Sequence, residues 1–87
     1  MTKVTVVVNT ESGLHARPAN FFIKKASKFK SAIKVSKGKK EADGKRLLSV
    51  LTLGVKQGES IIITADGEDE NEAIKALKNA VESDFEG

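Results

Sequence analysis

The 87-residue sequence has no cysteine, no tryptophan and no tyrosine, and only one proline, one methionine and one histidine. Without cysteine there are no disulfides and no thiolate chemistry, which fits a cytoplasmic location. A single histidine with no cysteine leaves no ligand cluster at the spacing a metal site needs, and no cofactor is expected. Nothing marks a nucleophile and base for that histidine to serve, so a hydrolytic triad is not expected. No apolar run approaches 18 residues, which excludes a transmembrane helix and direct membrane insertion. The opening MTKVTVVVNT has one lysine and no small-residue cleavage site. It reads as a strand rather than a signal peptide.

Hydrophobic residues make up 39% and charged residues 31%, ordinary for a water-soluble chain. A chain of this length forms one domain, taken here as residues 1–87, and buries only about 60% of the surface that its unfolded form exposes. The net charge of +3 hides an asymmetry: residues 1–65 carry 13 Lys/Arg against 4 Asp/Glu, and residues 66–87 carry 2 against 8. The basic part would steer an acidic partner toward the protein. A plainer account is a solvated surface with an acidic last helix.

Val4, Val6 and Val8 alternate with Thr5 and Val7 and predict a half-buried strand over about 3–9. From Ala16, apolar residues recur at Ala19, Phe22, Ile23, Ala26 and Phe29, the spacing of an amphipathic helix. Ala32, Ile33 and Val35 suggest a second strand, SKGKK a turn, and residues 40–43 a third strand. Leu47, Leu48, Val50, Leu51 and Leu53 predict a two-turn helix with Gly54 near its C-cap. Ile61, Ile62 and Ile63 suggest a continuously buried strand. The acids of DGEDENE gather where a helix dipole favours them, before a last helix with the stripe Ala73, Ile74, Leu77, Ala80 and Val81. The order β-α-β-β-α-β-α, with short connections, predicts an α+β layer: a four-stranded, mostly antiparallel sheet with three helices on one face.

The stretch SGLHARPANFF, residues 12–22, holds both the only histidine and the only proline. Pro18 is tolerated only in the first turn of a helix, so it fixes where that turn lies. His15 then falls at or near the N-cap and Arg17 in the first turn. A helix start presents unpaired N–H groups and the positive end of a dipole, a ready anion site. Arg17 adds five donors in a geometry suited to phosphate. The same positive surroundings oppose a charged imidazole and favour the neutral, nucleophilic ring. If the ring takes a phosphoryl group, these donors stabilise the charge it brings. Gly13 would let the preceding loop turn sharply and approach a partner closely.

GLHARPA, residues 13–19, closely resembles the phosphorylation signature of the histidine-containing phosphocarrier family, HPr, of the bacterial phosphoenolpyruvate:sugar phosphotransferase system. The resemblance covers the whole chain, including LLSVLTLGV (47–55) and GEDENEAI (67–74). It implies an open-faced β-sandwich, with a four-stranded antiparallel sheet covered on one side by three helices. It implies phosphorylation of His15 on Nδ1, with Arg17 as phosphate partner and Ser12, Ala16 and Arg17 around the phosphate. The implied partners are Enzyme I, which loads the histidine, and the A components of sugar permeases, which unload it. The implied docking surface is an apolar patch at Leu47, Leu48 and Leu51, joined by Asn20 and Lys24, with Lys45 and Arg46 as further cations at its rim. The protein is then a monomeric carrier between enzymes rather than an enzyme itself.

One position departs from the family pattern. Many Gram-positive members carry a regulatory serine at the start of the second helix, and the aligned residue here is Arg46. Arginine is no substrate for a serine kinase, and it sets positive charge where a phosphoserine would set negative charge. The serine switch is expected to be absent, with Ser49 the nearest hydroxyl. Two other readings remain open: a regulatory, nitrogen-type member of the family using the same histidine, and a small basic nucleic-acid-binding domain. Against nucleic acid, there is no Trp or Tyr for base stacking and no recognisable RNA- or DNA-binding signature.

Overall fold

The elements follow in the predicted order: β1 (Thr2–Val7), α1 (Ala16–Ala26), β2 (Ala32–Lys37), β3 (Lys40–Asp43), α2 (Leu47–Leu51), β4 (Ser60–Asp66) and α3 (Glu70–Glu82). The structure, a computed structural model, describes residues 1–11, 13–83 and 85. The four strands form one sheet in the order β1-β4-β2-β3, with antiparallel neighbours throughout. β4 and β2 are therefore the inner strands. Registers such as Val6 opposite Ile61 and Val35 opposite both Ile63 and Ala42 bring apolar side chains together on one face. The helices cover that face, in the open-faced arrangement expected.

Each helix buries one stripe: Ala19, Phe22 and Ala26 in α1; Val50 in α2; Ala73, Ile74, Leu77, Ala80 and Val81 in α3. Phe22 is fully buried at the centre, and burying such a ring is worth about 1.5–3 kcal/mol over leaving it exposed. Leu14, Val55 and Phe85, all outside the regular elements, complete the same core. α3 is tied to the chain after α1 by one carboxylate. Asp69 accepts from the Ser31 hydroxyl at 2.5 Å, the Ser31 amide at 2.9 Å and the Lys30 amide at 2.8 Å. Ser31 is itself buried, so this carboxylate satisfies polar groups that would be costly to leave unpaired.

The structure corrects the reading of several segments. β1 spans Thr2–Val7 rather than 3–9, though Val8 is still in the core. The isoleucine run is not continuously buried: Ile61 and Ile63 point into the core, and Ile62 is 38% exposed on the open face. A sheet covered on one side obeys its two-residue period, whatever the composition of the strand. α2 is shorter than expected. It ends at Leu51 with Thr52 as C-cap, so Leu53 packs into the core from beyond the helix and Gly54 follows at φ +60°. Ala16 is exposed as the first residue of α1, and Phe29 lies past the end of that helix.

Candidate functional site

α1 begins where Pro18 requires. Ala16, Arg17 and Pro18 are its first three residues, and His15 is the N-cap with extended backbone (φ −84°, ψ 179°). The His15 carbonyl accepts the first helical bond, from the Ala19 amide at 2.8 Å. Geometry leaves the amides of Ala16 and Arg17 without intrahelical acceptors, and Pro18 has no N–H to contribute. The His15 side chain makes no capping hydrogen bond, and the first turn holds no acidic residue. Histidine is a poor substitute for the serine, threonine, aspartate or asparagine that usually closes a helix start. The start of α1 therefore goes without a side-chain cap at His15.

His15, Ala16 and Arg17 are all exposed. Arg17 lines an open groove of about 1120 Å³ with Asn20, Phe21 and Lys24 along one wall of α1. His15 does not line that groove; it stands beside the first helical turn instead. Among the described residues no carboxylate comes within ion-pair distance of Arg17 or Lys24. Among the described residues, then, neither cation is neutralised by an ion pair. Ser12 lies outside the described residues. No group of three or more His, Asp or Glu among the described residues could hold a metal ion, and no helix among them is long and apolar enough to cross a membrane.

The loop before His15 is anchored to the chain between α2 and β4. The Leu14 amide donates to the Val55 carbonyl at 3.0 Å, and the Gly13 amide to the Thr10 carbonyl at 2.9 Å. The Thr10 hydroxyl donates to the Gly13 carbonyl at 2.8 Å. Gly13 does adopt positive φ (+67°) and a close approach, but to this chain's own backbone at Val55 and Lys56 rather than to a partner. Leu14 and Val55 then insert their side chains into the core. Glu59, at the end of the anchoring loop, is held below the ordinary carboxylate range, first by the Lys56 amide and then by the Lys37 ammonium.

On the α2 side, Leu48 is 79% exposed. Leu47 and Leu51 are half-buried and packed against the core. Lys45 is not a free rim cation: its ammonium donates to the Phe29 carbonyl at 2.7 Å, joining the start of α2 to the chain after α1. Arg46 is the N-cap of α2 and makes no side-chain capping bond. Its guanidinium is 81% exposed, with Nε 3.9 Å from Asp43 Oδ2. Asp43 instead turns the chain before the helix, accepting from the Lys45 amide at 2.9 Å. The Ser49 hydroxyl accepts the Asp43 amide at 3.0 Å.

Comparisons with known proteins converge on one family. A family model described as "PTS HPr component phosphorylation site" matches residues 2–83. The chain is 43% identical over 83 residues to the Phosphocarrier protein HPr of Mycoplasma pneumoniae, covering 94% of each sequence. Among solved structures, an HPr from Thermoanaerobacter tengcongensis superposes with a TM-score of 0.95 at 46% identity, over 98% of this chain and 96% of that one. A structure titled as an HPr dimer from the same organism aligns over the full length of both chains, at 45% identity and a TM-score of 0.79.

Proposed function

The chain belongs to the HPr family of phosphocarrier proteins, and from that premise we propose that it takes a phosphoryl group on His15 from phosphorylated Enzyme I and gives it to the A components of sugar permeases. The observation that carries this reading is an exposed N-cap imidazole with no capping bond, standing at a helix start that offers anion donors. His15 Nδ1 attacks phosphorus, and the P–N bond forms as the donor's own bond to phosphorus breaks. The amides of Ala16 and Arg17 and the Arg17 guanidinium then hold the phosphate. These contacts hold the charge without burying it, so the next acceptor can reach the phosphorus. The chain itself turns over no small molecule, and it requires no cofactor or metal of its own.

Leu48, supported by Leu47 and Leu51, supplies the apolar contact to either partner. Asn20, Lys24 and Arg46 supply polar and positive contacts around it, complementary to an acidic rim. The surface is assigned to a monomer in the cytoplasm. Because Arg46 occupies the position of the regulatory serine, the carrier works without that switch.

The test is intact-mass spectrometry at neutral to alkaline pH after incubation with Enzyme I, magnesium and phosphoenolpyruvate. One phosphoryl addition is expected, lost on brief acid treatment and absent from His15→Ala. No addition with an Enzyme I that loads another HPr would overturn the proposal.

A further inference from the structure

We propose that Lys37 and Glu59 are positioning residues for His15, acting through the loop that joins α2 to β4; the proposal rests on His15 being the phosphoryl acceptor. Lys37 closes β2, and its ammonium has two acceptors. It lies 3.0 Å from Glu59 Oε1 and donates to the Gly54 carbonyl at 3.1 Å. Glu59 Oε1 also accepts the Lys56 amide at 2.7 Å. One cation and one carboxylate therefore fasten both ends of the segment 54–59.

That segment is the seat of the His15 loop. Its second residue, Val55, offers the carbonyl that receives the Leu14 amide, one residue before the histidine. Its end is bonded in both directions to Val8, the residue after β1: the Val8 amide donates to the Glu59 carbonyl at 2.9 Å, and the Gly58 amide to the Val8 carbonyl at 2.7 Å. Loosening the fastening would let Val55 move, and Leu14 and His15 with it.

A single exposed ion pair is worth little, but shared charges that form a network are worth more. Here both side chains are part-exposed, at 28% and 38%, and it is the backbone bonds each makes besides its partner that set the pair apart from an isolated surface one. The effect expected is local. Phosphoryl transfer depends on aiming one nitrogen at phosphorus, and a displacement of about 1 Å at such a site costs up to about 100-fold in rate.

The experiment compares wild type, Lys37→Met, Glu59→Gln and Lys37→Arg by amide hydrogen exchange and by single-turnover transfer from phosphorylated Enzyme I. In Lys37→Met and Glu59→Gln the Leu14 amide is expected to exchange about tenfold faster. The Gly44 amide, bonded to the Ile33 carbonyl at 2.8 Å, serves as the reference and keeps its rate. Transfer at saturation slows about three- to tenfold with KM unchanged, and Lys37→Arg restores both readouts. Unchanged Leu14 exchange overturns the proposal, whether or not transfer slows, because the effect would then run by another route. Equal acceleration at Gly44 overturns it too, since the pair would be supporting the whole fold. If wild type accepts no phosphoryl group, the functional reading falls and the claim that Lys37 positions a phosphoryl acceptor falls with it; exchange at Leu14 then reports only on the strut.

Discussion

Gly13 lies against the carbonyl of Val55 so closely that a β-carbon there would stand 2.4 Å from the oxygen and 2.8 Å from the Lys56 α-carbon. Its φ of +67° is also one that side-chain-bearing residues adopt at a cost. Both obstacles are backbone, so no rotamer change relieves them. Gly13→Ala is expected to destabilise the fold by about 1–3 kcal/mol, with each kcal/mol lowering Tm by about 4–8 °C. Thermal unfolding followed by circular dichroism checks this. A variant that melts with wild type would mean that the loop does not sit on Val55.

Acid stability is the second expectation. Asp69 is held down to about 2, chiefly by the Ser31 hydroxyl and then by the Lys30 amide. Glu70 is also held at about 2, by the Thr2 hydroxyl, the amino terminus and the Gly67 amide. Both folded-state values lie below those of the unfolded chain. Each group therefore contributes its stability fully above the ordinary carboxylate range, and loses it as pH falls from about 4 toward 2. Denaturant midpoints measured across that window should fall steeply in wild type. Asp69→Asn should be less stable at neutral pH and show a shallower fall, with the Glu70 share remaining. A slope identical to wild type would remove Asp69 from the account.

The helix starting at Ala16 and the stripe of α3 were legible because apolar spacing and Pro18 act over a few residues. So was the placing of His15 at the N-cap, which follows from counting back from the proline. The seat beneath it was not. Leu14 and Val55 are isolated apolar residues in loops, with no period to announce that both enter the core. Lys37 and Glu59 are 22 residues apart in the sequence, and their pairing exists only once β2 and β4 lie side by side. The Lys45 bond is hidden in the sequence for a related reason. A long side chain near a helix start gives no sign that it reaches back to a carbonyl 16 residues earlier. The exposure of Ile62 between two buried isoleucines is hidden as well, because composition alone does not tell which of a strand's two faces is covered.

Leu48 separates binding from folding. It is 79% exposed, so Leu48→Ala should leave stability within about 0.5 kcal/mol of wild type. Transfer from phosphorylated Enzyme I should show KM raised about tenfold, or about 1.4 kcal/mol of lost partner binding, with little change at saturation. Leu51→Ala removes a half-buried side chain and should cost about 1–2 kcal/mol of fold stability as well. Steady-state transfer kinetics beside thermal melts distinguish the two. An unaltered KM for Leu48→Ala would move the docking surface elsewhere.

Arg46→Ser tests what arginine does at the start of α2. The native guanidinium caps nothing, whereas a serine there can accept from the free amides of the first turn. The variant should therefore be more stable than wild type by about 0.5–1 kcal/mol, read from urea midpoints at unchanged m. It should also become a substrate for a kinase of the regulatory serine with ATP, while the wild-type chain takes up no serine phosphate. Ser49 is not expected to substitute, because its hydroxyl accepts the Asp43 amide and so ties α2 to the end of β3. Phosphorylation there would break that bond and press negative charge toward Asp43. Stoichiometric serine phosphate on the wild-type protein, mapped to Ser49, would show that this bond yields to the kinase and that the switch has moved by three residues rather than disappeared.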